Sequence, residues 1–341
     1  MAENTDIEWC DATINLWWGC TKAQVGGRLD EACRHCYAEA GSKMRGHRVW
    51  GRNAERRFMK DPLGQLKKWN RWAAEGRCRE CKGRGYLGGD KGNYCSKCGR
   101  SGRVPPYNIK VFAMSYGDLF EKHSDEAINA RMTAIREEFF VLVPRLRNLT
   151  FLCLTKRPEN VMWMVPNNGS FPPNVWIGTS VADQESLDKR WPDLAAIPAR
   201  VRFVSAEPLL EGVDFSSALH DIEYGAPGGP VRQARKLEWL ILGGESGPKA
   251  RPSHPRWFEF AIEQCRKAGV PVFFKQWGEW APWRPSDRRP VRPTDICMEP
   301  DGSRRRGCDA LPSPDSAWLR RVGKKAAGAT VLGREWQEFP R

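Results

Sequence analysis

Short apolar runs, each bounded by polar or glycine residues, recur along the chain, and a helix-like stretch follows most of them. Runs of this length are typical of buried strands. We predict strands at residues 109–114, 150–154, 175–178, 201–204, 239–242 and 272–274, and a further short one at 15–19. Strands that alternate with helices form parallel sheets, so the pattern predicts an α/β fold with a partial (β/α) TIM-like barrel. A doubly wound open sheet is the alternative.

The chain of 341 residues is long enough for one large domain or two modest ones, and a barrel with an insertion fits this length. We predict four segments. Residues 1–76 contain a cysteine loop and the start of the barrel, 77–104 a zinc-binding insertion, 105–281 the remainder of the barrel, and 282–341 a C-terminal arm with a closing helix. Proline, arginine and aspartate dominate residues 282–314, so we expect an irregular arm there.

The composition is that of a globular protein, with 40% hydrophobic and 11% aromatic residues. The amino terminus lacks the basic-then-apolar pattern of a signal peptide, and no apolar run approaches the ~18 residues that span a bilayer. We therefore expect a cytoplasmic protein without a membrane partner. In that compartment the 12 cysteines are expected to be metal ligands or reduced thiols rather than disulfides.

The formal net charge of +14 is concentrated in one segment. Residues 43–103 contain 18 Lys or Arg against 5 Asp or Glu, which leaves a charge of about +1 for the rest of the chain. A concentrated cationic segment attracts phosphate backbones by releasing counterions, so nucleic acid is the partner that we expect. The alternative is a basic insertion that only increases solubility.

Two Cys-x-x-Cys pairs lie inside this basic segment, Cys78 with Cys81 and Cys95 with Cys98. Their spacing is typical of a tetrahedral Zn²⁺ site with four thiolates. Glycines follow each pair, where the backbone must fold back on itself. The segment has few apolar residues, so bound metal would provide most of its stability. A second iron–sulfur cluster is the alternative metal group.

The insertion has two possible roles. Its cations could hold phosphates while Tyr86 or Tyr94 stacks on exposed bases. These cations are Lys82, Arg84, Lys91, Lys97, Arg100 and Arg103. Alternatively, the two cysteine pairs only staple a loop. The charge of the segment favours the role in nucleic-acid binding.

Three further cysteines, Cys20, Cys33 and Cys36, lie near the amino terminus and are separated by twelve and two residues. Gly26 and Gly27 provide the flexibility for the long first gap to bulge outward. Because Cys-x-x-Cys is also a zinc-ligand spacing, one hypothesis is a structural zinc site that a distant His or Cys completes. The other is an iron–sulfur cluster, which normally takes four thiolates.

The run from Gly19 and Cys20 to Cys33-x-x-Cys36-Tyr-Ala resembles the radical S-adenosylmethionine superfamily, and its spore-photoproduct-lyase-like members in particular. The resemblance implies a barrel of the radical S-adenosylmethionine type and a [4Fe-4S] cluster on three cysteines, with one iron free to bind and cleave S-adenosylmethionine. It also implies a reductant protein such as flavodoxin or ferredoxin. The long first gap departs from the usual three-residue spacing, and His35 replaces the usual aromatic residue.

The resemblance further implies that residues at the predicted strand ends contact the cofactor. Asp118 would bind the methionine ammonium, with a helix N-cap as its alternative role, and Thr155, Lys156 and Arg157 would bind the methionine carboxylate. Adjacent glycines after the sixth strand would let adenine approach the backbone. The expected pocket consists of Tyr37, Ser115, Asp118, Thr155, Lys156, Ser180, Glu207, Gly243, Gly244 and Glu245.

Two residues are candidates for catalysis. Lys275 lies at the mouth of the last predicted strand, a position suited to a substrate acyl or phosphate group. Cys153 alternates with Phe151 and Thr155 on one face of its strand. If that face lines the barrel interior, Cys153 is a hydrogen-atom donor. Otherwise it is a buried structural thiol.

Sequence blocks along nearly the whole chain resemble a phage-associated family once described without a function. The blocks include Ile7-Glu-Trp9, Leu154-Thr-Lys-Arg-Pro158, Gly243-Gly-Glu-Ser-Gly247 and Phe274-Lys-Gln-Trp-Gly278. This resemblance implies phage DNA as the substrate, the host cytoplasm as the location, and a radical isomerase that rearranges an amino-acid-modified, glycinyl-type thymine during DNA hypermodification. The alternatives are lyase-type repair of a damaged pyrimidine and a non-catalytic zinc or iron–sulfur protein that binds nucleic acid.

Overall fold

The computed structural model describes residues 5–87, 92–166, 171–224, 232–283, 290–307 and 312–340. Its main feature is a sheet of seven parallel strands that curls into a half-barrel. The strands are β1 (Ala12–Ile14), β2 (Ile109–Ala113), β3 (Leu149–Thr155), β4 (Val175–Ser180), β5 (Val201–Ala206), β6 (Trp239–Gly243) and β7 (Val272–Gln276). They lie in sequential order, whereas a doubly wound sheet reverses its order part-way. The doubly wound alternative is therefore wrong, and the sheet is compatible with a partial β/α barrel.

Strands β2 to β7 begin and end within two residues of the predicted strands. The prediction that residues 15–19 form the first strand of this sheet is wrong. Strand β1 lies earlier and pairs in parallel with β2, with Ala12 opposite Val111. The strand Trp17–Trp18 pairs instead with Arg57–Phe58 in an antiparallel ribbon. The chain therefore leaves the sheet before it reaches Cys20.

The longer helices among the described residues are α1 (Tyr37–Met44), α2 (Pro62–Ala74), α3 (Glu126–Leu142), α4 (Gln184–Ala195) and α5 (Pro255–Ala268). Helices α2 to α5 each begin after a residue whose side chain accepts a backbone N–H, namely Asp61, Asp125, Asp183 and His254. Short helices span Glu31–Arg34, Val161–Met164 and Lys324–Ala327. In the part of the chain that the structure describes, no helix combines the length and apolar character needed to cross a membrane.

Side chains of the strands alternate between an outer face and an inner, concave face. On the outer face, Phe151 and Phe274 pack with Phe139 of α3 and Phe258 of α5 in one buried cluster. A separate buried cluster lines the inner face and contains Trp9, Phe112, Leu152, Phe203, Trp239, Ile241 and Phe273. Because Trp9 precedes β1, the amino-terminal segment packs into the concave side of the sheet.

The chain after β7 forms a second, antiparallel sheet. Its strands are β8 (Trp280–Trp283), β9 (Ile296–Met298), β10 (Arg304–Arg306) and β11 (Ala317–Arg321), in the order β8-β11-β9-β10. Leu319 and Met298 join the main core, and Arg320 pairs with the buried Asp295 at 2.8 Å. The expectation of an irregular arm is wrong for these strands, while residues 284–289 and 308–311 lie outside the described residues.

Candidate active site and metal centre

The loop that carries Cys20, Cys33 and Cys36 lies beside the carboxyl ends of the parallel strands. The N–H of Gly19, which precedes the loop, donates to the carbonyl of Tyr116, which follows β2, at 2.9 Å. The long gap forms a small hairpin of Gln24–Val25 with Arg28–Leu29. Its turn residues, Gly26 and Gly27, have φ values of +55° and +79°, in the left-handed region that favours glycine. The glycine pair therefore provides the turn that the long gap requires.

Among the ion pairs that join this loop to the barrel, two position the helix Glu31–Arg34. Asp30 pairs with Arg190 of α4, and the two side chains are only 1% and 3% exposed. Arg251, which follows β6, pairs with Glu31 and donates to the Glu31 carbonyl at 2.9 Å. Asp30 also accepts the N–H of Cys33 at 3.1 Å and caps the helix Glu31–Arg34. The position of Cys33 therefore depends on cations from distant parts of the sequence.

The three thiols lie close enough to affect one another. Burial is the main cause that raises the pKa of both Cys20 and Cys33. Negative charge on Cys33 further raises the pKa of Cys20, and charge on Cys36 raises that of Cys33. One group acts in the opposite direction: Arg157 Nη1 lies 3.7 Å from the Cys20 sulfur, and its positive charge lowers the pKa of Cys20.

The spacing of these sulfurs does not suit a single metal ion. Thiolates that share one tetrahedral zinc ion lie about 3.8 Å apart. Among the described residues, the one group of three or more ligand atoms within 4.8 Å of each other is the four-cysteine group, not this loop. Thiolates of a four-iron cluster bind different irons and are more widely separated. The geometry therefore disfavours a zinc ion on the three-cysteine loop.

Asp118 and Arg157 form a buried, charged pair next to the loop. Asp118 is 4% exposed and accepts bonds from Thr155 Oγ1 at 2.7 Å, from Arg157 at 2.8 Å, and from the N–H groups of Phe120 and Lys156. Burial raises its pKa, but Arg157 and these donors hold the pKa of Asp118 below its ordinary value. The carboxylate is thus fully bonded within the protein, and an ammonium ligand would have to share it with Arg157.

Glu207 and Lys275 meet on the inner face near the carboxyl ends of β5 and β7. Lys275 Nζ lies 3.2 Å from Glu207 Oε1, and Trp9 Nε1 donates to Oε2 at 3.2 Å. Burial lowers the pKa of Lys275, but Glu207 raises it further, so that the net pKa lies above the ordinary value. The pair is therefore an ammonium next to a carboxylate. The indole N–H of Trp9 fixes the orientation of that carboxylate.

Period-two alternation also places Ser180, Ser205 and Gly243 on the inner face at this end. Tyr37 borders the same end of the sheet, with a side chain that is 58% exposed and a hydroxyl that donates to the Ser115 carbonyl at 2.9 Å. At these three positions the large aromatic residues of the inner face give way to small ones, while Leu154 of β3 also lies on this face.

The glycines after β6 have a role within the protein chain. A Cβ on Gly243 would come within 2.8 Å of Glu207 Oε1, and one on Gly244 within 1.9 Å of the Trp277 carbonyl. Glu245 is 7% exposed, is held by Arg251 and lies 3.3 Å from His35 Nδ1. These three predicted pocket residues thus contact the site, but packing alone already requires both glycines.

Cys153 lies away from this site. It is fully buried and belongs to the cluster between the sheet and the helices, whereas its neighbours Leu152 and Leu154 lie on the inner face. Burial raises the pKa of Cys153 to about 12. The placement agrees with a buried structural thiol and not with a hydrogen-atom donor.

The sequence prediction omitted three residues that shape the site: Arg251, Trp9 and Glu121. Glu121 accepts the N–H of Thr21 at 2.6 Å and pairs with Arg56, both side chains being almost fully buried. Their partners Glu31, Glu207 and Thr21 are too distant in sequence for a motif to reveal them.

The four cysteines of the insertion form a compact group. The sulfurs of Cys78 and Cys95 lie 3.8 Å apart, and those of Cys81 and Cys98 lie 3.7 Å apart. These distances match thiolates on one tetrahedral zinc ion. Burial raises the pKa of Cys81, but the N–H of Gly85 and the neighbouring thiols lower it to about 7. The group could therefore bind a metal such as zinc.

Comparison with known proteins identifies a family. Residues 4–340 match the family described as "Protein of unknown function (DUF5131)". The chain belongs to this family. No curated protein and no solved structure matches the chain. Membership in DUF5131 therefore carries no activity with it, and the function has to be argued from the site.

The metal centre of this DUF5131 protein lies at the other end of the sheet from the cysteine loop. Arg79 donates to Asp11, the residue before β1, at 2.9 Å, and Tyr107, just before β2, donates to the Arg77 carbonyl at 2.8 Å. Both contacts are at amino ends of strands. The insertion therefore lies away from the cysteine loop, and its binding of phosphates and bases stays a prediction. Lys91 lies outside the described residues.

Removing the metal from the DUF5131 protein is expected to unfold the insertion and leave the barrel folded. Among the described residues of the insertion, the apolar side chains that pack against the cysteines are Leu87 and Val104. A structural zinc ion contributes about 10–16 kcal/mol to such small units, far more than two apolar side chains. Chelation should make the chain susceptible to trypsin cleavage after Lys82 and Arg84, without changing tryptophan fluorescence. Unchanged cleavage in protein shown to contain no zinc would contradict the prediction.

Proposed function

We propose that this protein is a radical S-adenosylmethionine enzyme that acts on nucleic acid. One observation carries the proposal: Cys20, Cys33 and Cys36 lie on one loop, which a buried ion pair fixes beside the carboxyl ends of parallel strands. Active sites of β/α barrels lie at this end. When bound, a [4Fe-4S] cluster and S-adenosylmethionine would supply a 5′-deoxyadenosyl radical that removes a hydrogen atom from the substrate.

The residues around the loop fit such a group. Arg157 lies against the Cys20 sulfur, where its positive charge favours a thiolate that can bind iron. Tyr37, Ser115 and Glu245 lie near the same strand ends. Asp118 orders the strand ends through Thr155 and Arg157 rather than presenting a free carboxylate. The cysteines are therefore better supported as cofactor residues than Asp118 is.

For the substrate, we propose an amino-acid-modified, glycinyl-type thymine in phage DNA, which the enzyme isomerises. The resemblance of the sequence to a phage-associated family supports this finer step. The ion pair of Lys275 and Glu207 offers an ammonium and a carboxylate on the inner face, and these are complementary to the charged groups of an amino acid. A base in a duplex would have to be flipped out to reach them. A reductant such as flavodoxin or ferredoxin would supply the electron.

Anaerobic reconstitution of the zinc-containing protein tests the proposal. We expect about four irons per chain. With dithionite and S-adenosylmethionine, the reconstituted protein should release 5′-deoxyadenosine. Liquid chromatography with tandem mass spectrometry of nucleosides from treated phage DNA should then show a thymidine adduct of unchanged mass but with a different retention time and fragmentation pattern. A protein that binds only zinc and never forms 5′-deoxyadenosine would overturn the proposal and leave a non-catalytic nucleic-acid-binding protein.

A further inference from the structure

A second cationic surface lies on the carboxyl-end side of the molecule, outside the basic segment that the sequence singled out. It is a cleft of about 540 Å³ between the loop after β6 and the antiparallel sheet of β8 to β11. Its cations are Lys249, Arg251, Arg304, Arg305, Arg306 and Arg321. Arg251 also contacts Glu31 of the cysteine loop, so the cleft adjoins the candidate active site.

Most of these cations are not neutralised. Lys249 and the three arginines of β10 are exposed and have no ion pair within the described parts of the chain. Arg321 bonds to the carbonyls of Gly247 and Pro248 and lies 4.0 Å from the nearest carboxylate, on Glu279. An ordinary solvated surface mixes charges of both signs. This cleft instead keeps several unpaired positive charges side by side.

The form of the cleft favours phosphates over an acidic protein surface. Arg304, Arg305 and Arg306 present three guanidinium groups along one edge strand, and guanidinium binds phosphate oxygens in a bidentate manner. The partly buried ring of Trp280 lies among these cations. Protein interfaces need an apolar core. None of the exposed large apolar side chains that the structure describes lines the cleft.

We propose that this cleft binds the phosphate backbone of the nucleic acid whose base enters the barrel mouth. The inference rests on the proposed function for its substrate class, and it places the main nucleic-acid contact on β10 rather than on the zinc-binding insertion. The cleft contacts the cysteine loop through Arg251, whereas the insertion lies at the amino ends of the strands. Of these two surfaces, the cleft is the one on the side where a flipped base would enter.

The test compares two variants with the same loss of charge. One replaces the β10 arginines (Arg304→Gln, Arg305→Gln, Arg306→Gln), and the control replaces exposed cations of the insertion (Lys82→Gln, Lys97→Gln, Arg100→Gln). Binding of a fluorescent single-stranded oligonucleotide of about 20 nucleotides is measured by anisotropy over a range of salt concentrations. We expect the β10 variant to bind at least about tenfold more weakly, with the salt slope reduced by about 2 to 3. The control should stay within about threefold.

Equal urea midpoints of the two variants and the wild type exclude misfolding as the cause. Unchanged binding by the β10 variant would overturn the inference. If flavodoxin can no longer reduce that variant, the cleft is a docking site for an acidic protein. If that variant self-associates, the arginines only protect a sheet edge. Oligonucleotide binding needs neither iron nor S-adenosylmethionine. The binding result can therefore be interpreted even if the protein shows no radical chemistry.

Discussion

Replacing Cys33 with alanine is expected to abolish iron binding and 5′-deoxyadenosine formation in the reconstituted protein, while zinc remains bound. Cys33 is the middle thiol of the three, and its charge couples to that of both Cys20 and Cys36. A cluster on three thiolates has no spare protein ligand, so the loss of one leaves two, too few to retain it. Iron and zinc are measured by elemental analysis, and 5′-deoxyadenosine by chromatography after reduction.

Two further variants make this result specific. Cys297→Ala removes another buried thiol, on β9, and should retain iron and zinc as the wild type does. Cys81→Ser should lose zinc and keep iron, because its sulfur belongs to the separate four-cysteine centre. Iron retained at the wild-type level in Cys33→Ala would show that this loop does not hold the cluster. Equal loss of iron in Cys297→Ala would point to general instability instead.

The strands could be predicted from the sequence where the local pattern was long enough. Short apolar runs bounded by polar residues, such as the four residues 151–154 of β3, were enough to indicate a strand. Strand β1 has only three residues, and the neighbouring Trp17 and Trp18 have the stronger strand propensity, although they pair elsewhere. The antiparallel sheet was missed for a related reason. Its pairing joins Trp283 to Trp318, and no local pattern signals so distant a partner.

Which face of a strand lines the barrel could not be predicted either. Alternation separates Cys153 from Leu152 and Leu154, but the sequence does not show which set faces the helices. The structure answers this by packing Cys153 with Phe139 and placing the leucines opposite Trp9. The cysteines of the loop and of the insertion were easier to identify. Metal ligands must lie close together, so several of them are separated by only a few residues in the sequence.

The ion pairs that position the cysteine loop are the part that no motif revealed. Asp30 and Arg190 are separated by 160 residues, and Arg251 lies 220 residues from Glu31. Such pairs depend on the completed barrel. They also explain how a loop with an unusually long first gap can still hold its thiols in place, because the hairpin takes up the extra residues and the two ion pairs fix the helix that carries Cys33.

Replacing Asp30 with alanine is therefore expected to lower the free energy of unfolding by about 3–5 kcal/mol, because Arg190 would be left as an uncompensated buried charge. Arg190 also donates to the carbonyls of Ser180 and Lys156, so it cannot easily turn towards solvent. The variant also loses the cap on the helix Glu31–Arg34. We expect it to bind less iron on reconstitution, since Cys33 lies in the first turn of that helix.

A matched control is available on the same loop. Glu185→Ala removes an ion pair from Arg28 to α4 whose side chains are 43% and 46% exposed. An exposed pair contributes only about 0.2–1 kcal/mol. Asp30→Asn, which keeps an acceptor for Arg190 but not the charge, should fall between the two variants. Urea denaturation gives the free energy of unfolding of all three variants. Equal losses of this free energy in Asp30→Ala and Glu185→Ala would mean that burial of the Asp30–Arg190 pair does not anchor the loop.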